Sequence, residues 1–218
     1  MRIVLAVVVA LLAPGTAAAQ ISMAPAEPAT AQEIAAARAE VDRLIAAADA
    51  GDVFENVSEG REPRARHLAS GMVCRFQMGE EQSLIMVFPS PVPRGDDVGC
   101  NVGAGDTSRS IYATRYGDLD VSPQQAMDLA IYQIQQRFPD ARPYEQPVVT
   151  ITREGAEPSR IAAFSIDRAY TQVMIADVGD WSIKERLTLP EAPSMEAQLF
   201  NNMLWSMVLG DVVEAQAD

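Results

Sequence analysis

A helix signal at Ser122-Pro123-Gln124-Gln125 stands between two blocks of residues whose hydrophobicity repeats at every second position, and this order limits the available folds more than any other feature. Ser122 supplies the cap, Pro123 the first helical position and Gln125 the reciprocal capping-box side chain. Met127, Ala130, Ile131, Ile134 and Phe138 then recur at helical spacing until Pro139 ends the run. The preceding block predicts strands near 63–68, 71–77, 83–88, 97–102 and 109–116; the following one predicts them near 147–153, 160–167, 170–177 and 181–189. "SLIMVF" (83–88) is apolar on both faces, which predicts a central strand. In 181–189, Trp181, Ile183, Leu187 and Leu189 share one face, with Glu185 as its polar exception.

Helices are expected at both ends. Thr30 and Glu33 form a capping box, followed by Ile34, Ala37, Val41, Leu44 and Ile45 on one face, with Gly51 available as terminator. Ser194 caps a last helix whose buried stripe would be Leu199, Phe200, Met203, Leu204, Met207 and Val208, closed by Gly210. The rhythm of helix, strands, helix, strands, helix predicts an α+β fold, a mostly antiparallel sheet flanked by helices. One such domain would span 30–210, with 211–218 as a frayed acidic tail.

The N-terminus predicts export. Arg2, an apolar run from Ile3 to Ala13, the Pro14-Gly15 break and Ala17-Ala18-Ala19 match a signal peptide over 1–19, cut after Ala19. The run stops short of the ~20 residues a membrane span requires. Residues 20–29 read as a flexible lead-in, and the mature chain is expected to be periplasmic or secreted, with no transmembrane segment. Its charge of −13 becomes one unit more negative once Arg2 is removed, which opposes nucleic acid and anionic membranes.

Chemistry is sparse. The chain has one histidine, His67, and two cysteines, Cys74 and Cys100. Two hairpin registers are open for HLASGMVC. A two-residue Ser70-Gly71 loop sets His67 opposite Cys74; a three-residue loop pairs Leu68 with Met72 and turns His67 to the other face. The hydrophobic pattern favours the second. Two cysteines in an exported chain predict one Cys74–Cys100 disulfide, contributing roughly 3–4 kcal/mol. Such a bridge requires their segments to be neighbours. No zinc set, calcium loop or phosphate loop is spelled out, so no metal or cofactor is expected. Asp96-Asp97 reads as a solvated pair, and the arginines at 61, 64 and 66 interleave with glutamates as a mixed-charge surface.

"SPQQAMDLAIYQIQQRFP", a second strand block carrying "WSIKERLTLP", and a closing helix with Trp205 together resemble the PsbP-like α/β/α sandwich over residues 60–210. The resemblance implies a non-catalytic accessory or binding role, as in small bacterial periplasmic proteins of that layout, and provides no site residues. Three functions are therefore carried forward. The first is an exported accessory protein with a protein partner in the cell envelope, in contact through loop 89–97 or exposed sheet edges. The second is a carrier for an apolar small molecule, in a pocket lined by Met127, Ile131, Met203 and Met207. The third is a hydrolase using His67 with Cys74 or a nearby serine.

Overall fold

A computed structural model describes residues 27–89, 92–119, 121–167 and 169–217; the signal-peptide reading and most of the lead-in fall outside them. The first helix, α1 (Ala31–Ala47), opens on the expected box: Thr30 Oγ1 accepts from Glu33 N–H at 3.2 Å, and Glu33 accepts from Thr30 N–H at 2.7 Å. It ends before Gly51, because Asp49 adopts the left-handed conformation (φ 49°) and Ala50 N–H closes back on the Ile45 carbonyl. Three short strands follow, β1 (Phe54–Asn56), β2 (Arg64–His67) and β3 (Val73–Arg75), forming an antiparallel sheet in the order β1-β2-β3.

The larger sheet contains β4 (Leu84–Val87), β5 (Asp97–Ala104), β6 (Thr107–Thr114), β7 (Arg142–Pro143), β8 (Arg160–Ile166), β9 (Ala169–Val178) and β10 (Trp181–Leu189), in the order β4-β5-β6-β10-β9-β8-β7. Every pairing is antiparallel. The first block therefore meets the second where β6 lies beside β10. α2 (Pro123–Arg137) starts with the capping box of Ser122 and Gln125. It covers one face, over Phe164, Val173 and Ile175. The other face carries Cys100, Ile111, Met174, Ala176, Trp181 and Ile183, and is covered by α1, the small sheet and α3 (Met195–Ala217). The α+β, helix-flanked antiparallel design is thus present.

Four local expectations are corrected. "SLIMVF" forms β4, an edge strand with Leu84 exposed, because β5 pairs with it on one side only. Segment 147–153 is no strand: the Val149 N–H donates to Gln198 Oε1 at 3.3 Å and its carbonyl accepts from Asn202 Nδ2 at 2.7 Å, so α3 side chains replace ladder bonds. Residues 211–217 are no frayed tail. Gly210 lies inside α3, Val212 is fully buried, and Asp211 makes two hydrogen bonds with Arg75 at 2.6 and 2.9 Å.

The fourth correction is the hairpin register. Ala65 faces Cys74 and His67 N–H donates to the Met72 carbonyl, which leaves a four-residue loop, Leu68 to Gly71. His67 therefore joins Met72 and Cys74 on the buried face, and Leu68 turns outward at 53% exposure. Gly71, at φ 77°, makes the turn possible.

Candidate functional site

Cys74 and Cys100 are joined, with Cα atoms 6.1 Å apart. The bridge runs between the two sheets, face to face, rather than between neighbouring strands. Cys100 already pairs with Ile85 of β4 and Ile111 of β6, so the expected neighbour relation is met through a second layer. Both cysteines are buried in the main core.

His67 is fully buried, 5.3 Å in centroid distance from both the Phe54 and the Trp181 ring. Its Nδ1 accepts from Ser70 N–H at 3.3 Å and lies 2.8 Å from Ser70 Oγ, which itself accepts from Met72 N–H at 3.1 Å. These bonds put the proton on Nε2 and tie the four-residue loop together. Burial pushes the imidazole down to about 4, with the Gly95 backbone and the Asp96 carboxylate pulling less strongly the other way. A neutral imidazole closed off from solvent, beside a serine that is also fully buried and a cysteine locked in a disulfide, is a loop-building residue. Asp96 is no solvated residue either: it is buried and accepts from Arg115 at 2.5 Å. Arg94, two residues before it, pairs with Asp52 at 2.7 Å. The arginines at 61, 64 and 66 each pair with a glutamate, as a mixed-charge surface would.

The four residues expected to line one apolar pocket are separated. Met127 is buried under α2 with Ile131 beside it, on the face of the sheet that carries Val173 and Ile175. Met203 and Met207 belong to α3 on the opposite face, and point outward at 49% and 41% exposure. A shared cavity is therefore not formed. The expectation of one pocket requires the longest apolar stripe of each helix to point inward, and for α2 it does.

For α3 the opposite holds. Trp205, Val208, Leu209 and Val212 enter the core, and Trp205 Nε1–H donates to Ser159 Oγ at 2.9 Å. Gln198 and Asn202 lie on the same inward side because they hold Val149. Leu199, Phe200, Met203 and Met207 are left outside, with Leu199 49% and Phe200 55% exposed. Met203 follows Phe200 by three residues and Leu199 by four, and Met207 follows Met203 by four, so they form one continuous outward strip. Glu196 lies at one end and Glu214 at the other, and α3 contains no lysine or arginine. The missed signal was readable: apolar residues surround this helix, so one stripe had to stay uncovered once another was buried.

Among the described residues, no three His, Cys, Asp or Glu side chains converge as metal ligands. No described helix is long and apolar enough to cross a membrane. Neither a known protein-family model nor a curated protein matches the chain.

Proposed function

We propose that this is an exported, non-catalytic interaction protein of the bacterial cell envelope, which docks a protein partner on the outward strip of α3. The observation that carries the reading is the exposure of Leu199, Phe200, Met203 and Met207 on a helix that turns Gln198 and Asn202 inward. Each presents about half its surface, so covering one would contribute roughly 1 kcal/mol. A central aromatic with aliphatic neighbours is the composition of a binding hot spot. The acidic ends favour a partner with an apolar face and basic flanks. A closed disulfide supports an oxidising compartment, in keeping with the N-terminal export signal. The order of helices and strand blocks supports the accessory role implied by the PsbP-like resemblance.

The test is site-specific photocrosslinking in the producing cell. A photoreactive residue at Met207 is expected to capture one defined polypeptide, one at the exposed Asp140 is not, and Phe200→Glu should abolish the Met207 adduct without lowering the melting temperature. The same adducts from both positions, or an adduct indifferent to Phe200→Glu, would overturn the reading.

A further inference from the structure

The α2-facing side of the large sheet is only half covered. α2 lies over β8 and β9, and beside it β10, β6 and β5 leave a polar cleft of about 590 Å³, within the range of small-molecule sites. Its floor is set by register. Arg186 faces Ser110, which faces Asn101, and Thr188 faces Ser108. The Ser108 and Ser110 hydroxyls both donate to Asn101 Oδ1, at 2.9 and 2.7 Å, which holds the floor rigid and uses up their protons.

Arg186 rises from this floor. Its Nε and Nη2 are buried and have no hydrogen-bond partner among the described residues. Its guanidinium lies 6.0 Å from the Phe138 ring centroid, and that of Arg137 lies 5.2 Å from the same ring. Every ion pair among the described residues is made by other arginines. Two cations thus flank one aromatic ring without a carboxylate, in a chain of net charge −13 with acids to spare. The carbonyl end of α2 accounts for Arg137, which sits in its last turn. It does not account for Arg186. Burial and the nearby Arg137 charge both push the Arg186 guanidinium down, so the arrangement costs stability as it stands.

The geometry points to an oxyanion-binding cleft, in which Arg186 and Arg137 hold the carboxylate or phosphate head of a small organic molecule and Phe138, Ile166 and Pro190 meet its apolar body. A guanidinium offers parallel N–H donors that match two oxygens of such a head, and Nε with Nη2 is one such pair. Asp106 and Asp167 also line the cleft, at the turns that follow β5 and β8, beyond the Thr188 row. They direct the charged head inward to Arg186 and favour an uncharged outer end.

The test uses benzoate, phenyl phosphate and inorganic phosphate as probes, titrated calorimetrically into the purified chain at low ionic strength. Saturable binding of benzoate or phenyl phosphate is expected, tighter than inorganic phosphate because of the apolar lining; whichever binds more strongly assigns the head group. Arg186→Gln should weaken it at least tenfold and Arg137→Gln by several-fold, while Arg142→Gln, outside the cleft, leaves it unchanged. Thermal melts guard against misfolding. The parent should gain melting temperature with the bound probe, and Arg186→Gln should melt at least as high as the parent without probe but gain nothing. No saturable binding by any probe, or binding indifferent to Arg186→Gln, would overturn the site.

Discussion

Gly71 lies directly against Ala215: a Cβ added to the glycine would sit 2.1 Å from the alanine Cβ and 3.2 Å from the Asp211 carbonyl. The four-residue loop after β2 and the last turns of α3 therefore touch, at a position where φ is 77°. Gly71→Ala is expected to cost more than about 2 kcal/mol, from left-handed strain and the collision together. Adding Ala215→Gly should return part of that loss, since it removes the Cβ contact and leaves the strain. Urea unfolding of the single and double variants measures both, and equal stability for the two would show that α3 does not dock there.

The disulfide makes a second, separable contribution. Cys74 and Cys100 are 26 residues apart, which in the loop-entropy model corresponds to about 3.5 kcal/mol. Cys74→Ser with Cys100→Ser is expected to lose about that amount, read from the urea midpoint at constant slope. A steeper loss would mean that the buried thiol-sized space also collapses between the sheets.

His67 makes stability depend on pH, and it is the chain's one histidine. Its imidazole is at about 4 in the fold, against an ordinary 6.5. Between those values the unfolded chain binds a proton that the folded chain refuses, so stability is complete above pH 6.5 and falls as pH drops toward 4. The full effect is on the order of 3 kcal/mol. Asp97 and Glu185, raised by burial, act with the opposite sign over part of that window. The difference between the parent and His67→Phe isolates the histidine. A parent slope that survives in His67→Phe would assign the effect to carboxyl groups that arginines hold below their ordinary range, such as Glu40 beside Arg43 and Asp52 beside Arg94.

What the sequence made legible was local. Thr30 with Glu33, and Ser122 with Gln125, announce their helices because both partners of each cap lie within one turn. β8, β9 and β10 follow from alternation and short connections. The errors share one origin, which is that hydrophobicity does not state which neighbour will supply burial. Placing Leu68, Met72, Cys74 and Phe76 on one face turns His67 outward, yet Ser70 holds its Nδ1 inside the loop. Apolarity predicts Leu199 and Met203 inward, yet Gln198 and Asn202 take that side, where their amides bond Val149. The Arg137 and Arg186 cleft depends on β10 lying between β6 and β9, an order that no local pattern encodes.

Glu185 raises the same issue in a form that can be measured. It lies on the core face of β10 at 1% exposure, opposite Ile111 and Met174, with Arg109 as its ion-pair partner. Burial pushes its carboxyl up, and Arg109 pulls it back less strongly. Removing the arginine alone strands a carboxylate in the core, so Arg109→Met is expected to cost about 3 kcal/mol at neutral pH. That cost should shrink on acidification, because a stranded carboxyl can take up a proton. Glu185→Leu behaves differently: Arg109 does not give up its proton, but at 15% exposure it can lean toward water, so a smaller loss independent of pH is expected. The double variant should fall within about 1 kcal/mol of the parent, since apolar side chains replace both charges at once. A complete double-mutant cycle by urea unfolding at neutral and acidic pH resolves the pair. Additive single losses would mean that the two charges are satisfied independently, and the pair would then contribute nothing as a pair.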